Sequence, residues 1–367
     1  MALLADRDGQ SEVSEPIFTA AGSRPAAFLL LAGLPVLAAA WALLGSGHVL
    51  SREMTWDLLF NLSGAWHLQN GHVPHVDFHD PAGELSYLLT MLGFRLVGPT
   101  PLAFVAGSLV WALATFAAAG VVAARRLPLV PAVLFTVFVC LLVMMPANAG
   151  DPPTAYSFAM SYNRYGWSAL SILALILFVP PRLSSPAVAP ATRSGDTLDM
   201  AVVGLLLAAL FYLKITYFAA GLGALGLAFL FFPHVRARWK GWLLVGGLVV
   251  ANALAPHNHP YLLDIWNAAE AGKVRGGLSV HLNTFFTDPG EIAAYAAGLA
   301  VAIWLWWTGR APFRLPLAAG FLIATGMFLL TQNHQAQGVP LGVMVAFLLY
   351  DQLREIPARL ALMSPRR

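Results

Sequence analysis

Apolar runs of near membrane-spanning length recur from one end of this 367-residue chain to the other, and they constrain it more than any motif does. They fall at about 26–45, 101–124, 127–147, 164–181, 198–213, 216–232, 240–256, 291–308, 315–332 and 338–353. About 20 apolar residues suffice to cross the hydrocarbon core. Within that core every backbone polar group must be satisfied internally, so only helices and closed barrels span it. The short alternating strands of a barrel are not visible in the sequence. Composition agrees with helices: 58% of residues are hydrophobic and 11% charged, against ~25% charged in an ordinary soluble domain. The expected fold class is an all-α polytopic membrane protein with about ten transmembrane helices.

Charge placement orients these runs. With ten spans and a cytoplasmic N-terminus, one side receives 15 Lys and Arg and the other 6, while the acids divide 8 to 10. That is the positive-inside pattern with both termini cytoplasmic. The net charge of +3 is thereby accounted for without invoking nucleic acid as a partner. Residues 1–25 read as a cytoplasmic tail without the features of a signal peptide. Residues 26–355 read as one transmembrane domain and 356–367 as a second cytoplasmic tail. The one cysteine, Cys140, lies inside an apolar run, which excludes an intrachain disulfide and argues against a thiol metal site.

The outside loop 46–100 holds the densest polar stretch. Residues 51–87 gather Asp57, Asp77, Asp80 and Glu84 with His67, His72, His75 and His79. After Trp56 and Asp57, a helical segment is expected to lie on the membrane surface, with Leu58, Leu59, Leu62 and Trp66 toward lipid. Asp57 either caps that helix or is a carboxylate held at the membrane–water boundary as a base or metal ligand. Asp77 and Asp80 are either turn acids, Asp80 standing before Pro81, or the second functional carboxylate. The histidines, in a loop rather than on one helical face, read as solvated and point only weakly to a metal. Glu84–Val97 is amphipathic and reads as an interfacial or re-entrant helix leading into the second span.

Other outside turns contribute isolated polar groups. Lys214, between two short apolar runs, either snorkels at a hairpin or binds a lipid phosphate as a point charge. Arg164, flanked by Tyr162, Tyr165 and Trp167, is either an aromatic-belt anchor or a bidentate phosphate ligand. His257 and His334 end spans on the outside, where they are either hydrogen-bonding groups for a polar substrate or plain loop residues. No P-loop, Rossmann glycine pattern, His-Glu-x-x-His helix or nucleophile elbow is present. ATP-driven transport and simple protease chemistry are disfavoured accordingly.

The order of features in this loop resembles a known family. Asp57 follows the first span. An amphipathic helix, Gly71, Pro74 and Asp77-Phe78 come next, and then His79-Asp80-Pro81-Ala82-Gly83-Glu84-Leu85-Ser86-Tyr87-Leu88-Leu89 leads into a helix. This is similar to the first outside loop of GT-C-type membrane glycosyltransferases, which include protein O-mannosyltransferases and the aminoarabinose transferase of lipid A. The specific likeness covers about 51–110. The resemblance implies that Asp57 lies at the catalytic centre as general base or ligand of a divalent cation such as Mg or Mn, with Asp77 or Asp80 as second acid. It implies a polyprenyl-phosphate-linked sugar as donor and a lipid, glycan or protein acceptor. It further implies inverting transfer at the outer face of a bacterial inner membrane, with Arg164, Lys214, His257 and His334 on the substrates. The family often pairs two acids after the first span, whereas this chain has Trp56-Asp57 with Glu53 upstream. The alternatives are a transporter or flippase for a lipid-linked or polar substrate, whose charges should lie deep within spans, and a non-catalytic glycan-assembly subunit.

Overall fold

The computed structural model describes residues 23–49, 51, 55–146, 157–158, 160–181, 193–272, 289–331 and 340–363. Among these the regular structure is helical throughout, with one isolated bridge between Pro74 and Phe78. The helices are α1 Ser23–Gly45, α2 Thr55–Gln69, α3 Leu85–Val97, α4 Leu102–Ala124, α5 Leu129–Met144, α6 Ser161–Phe178, α7 Arg193–Leu213 and α8 Ile215–Phe231. Then come α9 Pro233–Arg236, α10 Trp239–Ala253, α11 His259–Gly272, α12 Pro289–Trp307, α13 Arg314–Thr331 and α14 Leu341–Met363.

Among the described residues, three stretches are long and apolar enough to cross a membrane by length and composition: Arg24–Gly45, Leu102–Ala124 and Asp196–Leu213. Five shorter apolar helices accompany them, at Leu85–Val97, Leu129–Met144, Ile215–Phe231, Ile292–Trp307 and Arg314–Leu330. The expected ten spans therefore meet a chain whose helices are often cut short. At 1.5 Å per residue, the 16 residues of α5 cover about 24 Å, less than the roughly 30 Å hydrocarbon core. Pro128 precedes α5, and the extended Met145 ends it. Extended Lys214 likewise divides α7 from α8. At the C-terminal end the helix continues to Met363, past the expected start of a tail at 356.

The hub is α6, in which every residue except Tyr162 is buried. Its second half is apolar on all sides, the pattern of a helix enclosed by others. Trp167, Leu170, Ile172, Leu173, Leu175 and Ile176 pack in a core shared with α4, α5, α7, α8, α13 and α14. The exposed large residues of α1, Leu30, Leu34, Leu37 and Trp41, face outward as lipid contacts should. The loop helices grip α4 closely: a Cβ on Gly93 of α3 would overlap the Ala103 carbonyl, and one on Gly107 of α4 would overlap that of Leu89. Helix α2 departs from expectation at two of its four lipid-facing positions. Leu58 is buried beside Phe104 and Val105, Leu62 is partly buried against the same cluster, and the outward set is Trp56, Leu59, Phe60 and Trp66. Asp57 thus sits where α2 turns from lipid to protein.

Polar contacts join segments that the charge pattern assigns to the same side. On the basic side, Arg126 is 1% exposed and binds Asp199 at 2.7 Å and the Val179 carbonyl at 2.9 Å. Arg125 shares Asp199 at 2.7 Å, and Arg354 donates to the Arg126 carbonyl at 3.0 Å. A buried charge with one partner removed costs several kcal/mol, so such a knot fixes the mutual position of its elements even when its net contribution is small. The other side carries the contacts that build the site.

Candidate active site

Asp57 is the third residue of α2, yet its carboxylate does not cap that helix. Its Oδ2 accepts the backbone N–H of Met160 at 2.8 Å, from the residue that opens α6. Met160 has φ 48°, a left-handed conformation that side-chain-bearing residues rarely adopt. The carboxylate therefore lies against the positive end of the central helix. The side chain of Asn61 is bonded back to the Asp57 carbonyl at 2.8 Å, one turn along α2. Burial pushes the Asp57 carboxyl above the ordinary carboxylate range; the Met160 N–H opposes that rise and the negative charge of Asp80 adds to it.

Asp80 arrives by a different route. Its Oδ1 accepts the N–H of Ala82 at 2.6 Å, closing a tight turn over Pro81. The next residue, Gly83, donates to the Leu213 carbonyl at 3.0 Å, and a Cβ there would overlap the Tyr212 carbonyl. Glycine is thus required for the loop to dock on the end of α7. Lys214 follows at once, with φ −167° and ψ 127°. The backbone bond that seats the loop therefore also brings Asp80 to Lys214. Burial pushes the Lys214 ammonium down to about 8, and Asp80 counteracts part of that fall. The Lys214 Nζ lies 3.5 Å from Asn163 Oδ1 and 5.1 Å from the centre of the Tyr162 ring. Tyr87 of α3 bonds its hydroxyl to Asp80.

The site thus gathers two carboxylates, one ammonium and tyrosines from α2, α3, α6, the loop before α3 and the α7–α8 junction. Two buried groups beside it, the Asn163 Nδ2 and the Tyr217 hydroxyl, have no hydrogen-bond partner among the described residues. They offer polar contacts to a substrate, since buried polar groups are seldom left unmatched.

The other sequence-predicted residues fall elsewhere. Asp77 is exposed, and its Oδ2 accepts the Val73 N–H at 2.7 Å, so it is a turn acid. Arg164 is 3% exposed instead of sitting in an interfacial belt. It donates to the Met145 carbonyl and stands 5.9 Å from the Phe158 ring centre. His257 is exposed on the turn Pro256–Asn258, where buried Asn258 instead bonds Tyr212. His334 lies outside the described residues. The histidines read as solvated divide: His75 is 8% exposed, with Nδ1 2.9 Å from Asp264, and His79 Nδ1 is 2.8 Å from the other oxygen of the same carboxylate. His67 and His72 bring their Nδ1 atoms to 2.7 Å.

Sequence reasoning passed over Asp264, Tyr87 and Asn163. Asp264 had a signal, as the one acid within Tyr261–Trp266, an otherwise apolar stretch. Tyr87 was already inside the quoted loop pattern. A divalent cation would have Asp57 and Asp80 as ligands, and no group of three His, Cys, Asp or Glu able to hold an ion occurs among the described residues. One oxygen of each acid is engaged by a backbone N–H, and a lysine stands beside Asp80.

No family model matches the chain, and neither a curated protein nor a solved structure does.

Proposed function

We propose that the chain is a membrane glycosyltransferase that moves a sugar from a polyprenyl-phosphate-linked donor to an acceptor hydroxyl, with inversion, at the outer face of a bacterial inner membrane. The observation that carries this reading is the convergence of Asp57, Asp80 and Lys214 from three separate segments. Asp57 is the base: a carboxyl lifted by burial holds a proton better than an exposed one and is nearer the working pH. As the acceptor oxygen attacks the anomeric carbon, its proton passes to Asp57. The bond from that carbon to the phosphate oxygen breaks, and the electron pair leaves on the phosphate. Lys214 meets the growing charge there, in a buried setting where a fixed cation acts strongly. Asp80 and Tyr87 hold the lysine side of the site, Asp80 by keeping the ammonium protonated. Arg164, expected as a second phosphate ligand, is engaged by the Met145 carbonyl, so this assignment rests on Lys214.

Asp57→Asn, Asp80→Asn and Asp77→Asn separate the site from the rest of the loop. Transfer by membranes carrying the first should fall by about 10²- to 10⁴-fold, the usual contribution of a positioned proton acceptor, and the second should also lose transfer because Lys214 loses the anion that favours its charged form. The Asp77 variant should stay within a few-fold of wild type, as a turn acid would. Mass spectrometry of envelope glycans reads the same contrast in cells and names the sugar. Wild-type glycosylation by the Asp57 and Asp80 variants would sink the proposal.

A further inference from the structure

Beside the carboxylate pair runs a second feature that the transfer step leaves unused. A groove of about 940 Å³ lies between the loop around Pro81 and α11. Its walls are largely apolar, including Leu262, Leu263 and Trp266, and its polar groups are His75, His79, Asp80, His259, Asp264 and Asn267. Asp80 lines the groove and belongs to the carboxylate pair, so the groove adjoins the proposed reacting centre.

Its polar wall is built. Asp264 has only 9% of its side chain exposed and spends both oxygens on histidines, Oδ2 on His75 and Oδ1 on His79. His75 reaches it from a left-handed backbone, φ 64°, with its ring 4.7 Å from that of Tyr261. The His79 side chain is 69% exposed while its Nδ1 is fixed at 2.8 Å. Anchoring Nδ1 on a carboxylate sets the tautomer and leaves Nε2 as the nitrogen that meets a ligand. Trp266 is 66% exposed one turn from Leu262. An exposed indole face beside a carboxylate-oriented imidazole and an amide is the chemistry that binds sugar rings: the apolar C–H face packs on the indole and the hydroxyls bond to the polar wall.

We propose that this groove is the acceptor subsite and that its occupant is a sugar residue of a glycan, packed on Trp266 with a hydroxyl held by His79. The inference rests on the transferase reading for its role, but glycan binding stands apart from catalysis. Asp264 is a positioning residue that acts through His79. The volume lies within the range of small-molecule sites, and continuity with Asp80 directs the acceptor hydroxyl toward the carboxylates.

The test uses the full chain in nanodiscs. Cys140 is fully buried, so a thiol introduced by Ala268→Cys at the groove can carry a bimane label selectively. Gluco-, manno- and arabino-oligosaccharides are titrated as probes, with farnesyl phosphate as the lipid comparison. At least one glycan should give a saturable response that weakens 10-fold or more in Trp266→Ala and His79→Ala, with His79→Gln partly restoring it. Asp264→Asn should weaken it through His79. Asp77→Asn, at an exposed turn acid, should leave it unchanged, and because binding is read without donor or transfer, failure of the transferase reading stays distinct from failure of the groove. In transfer assays Trp266→Ala should raise the acceptor KM while release of sugar from donor to water persists. A response to farnesyl phosphate alone, or to none of the probes, would overturn the inference. So would parallel loss of donor hydrolysis in Trp266→Ala.

Discussion

Lys214 offers the most quantitative test of the site, through Lys214→Arg. Its ammonium is pushed down to about 8 from 10.5, because burial outweighs the help from Asp80. At pH 7 roughly nine in ten of these lysines carry charge, and at pH 9 about one in ten. If Lys214 holds the donor phosphate, donor affinity should therefore fall about 10-fold between those pH values, or ~1.4 kcal/mol. A sugar-1-phosphoryl polyprenol is the right ligand, since a phosphodiester keeps a single charge across the range. Its equilibrium binding to protein in nanodiscs should decline from pH 7 to 9 in wild type. The arginine variant should bind with little pH dependence, because guanidinium stays charged. Lys214→Ala should bind weakly at both ends. Asp80→Asn should move the midpoint of the wild-type decline to lower pH, since the lost anion was raising the lysine. A flat wild-type profile, or an arginine variant that declines in parallel, would refute the reasoning.

The acid side should show the opposite sign. Asp57 acts as a base only when ionised and its carboxyl is raised, so kcat/KM should drop on acidification at a pH above that of an ordinary carboxylate, and a drop only below pH 4 would contradict the assignment. Gly83→Ala places a Cβ against the Tyr212 carbonyl; transfer should fall at least 10-fold while helix content by circular dichroism is unchanged. At the basic end, Asp199→Ala takes from the buried Arg126 guanidinium the carboxylate it pairs with and should cost about 3–5 kcal/mol. The detergent-resistant folded fraction should drop accordingly, with Arg126→Ala/Asp199→Ala recovering part of the loss.

The helical architecture was legible because apolar length and charge asymmetry are local properties, readable without knowing any contact. The contacts join segments that the charge pattern puts together: Asp57 meets Met160, Gly83 meets Leu213, and Asp264 meets two loop histidines. Helix length was less legible. Lys214 and the prolines near α5 interrupt apolar runs that hydropathy alone would pass over. Asp57 was named by its position, but its partner, Met160, lies 103 residues away in the chain, a pairing that local sequence does not encode. The choice between Asp77 and Asp80 turned on which acid spent itself on its own turn without coming near the lysine: Asp77 binds Val73, whereas Asp80 keeps company with Lys214. The histidines were underrated because their partner, Asp264, lies 185 residues or more away in the chain.

The outward face of α2 has a consequence for how turnover would be controlled. Trp56, Leu59, Phe60 and Trp66 are exposed on one face of this helix, and Asp57 lies at the edge of that face. On the proposed reading that face would rest in the headgroup zone, and the height of the proton acceptor would be set by the bilayer as much as by the protein. A substrate carried on a lipid reaches it by lateral diffusion within one leaflet, so surface density, not bulk concentration, is the variable to which the rate responds. Leaflet thickness and headgroup packing would tilt or lift α2 and change the register between base and sugar. On the proposed reading the membrane is part of the reaction geometry.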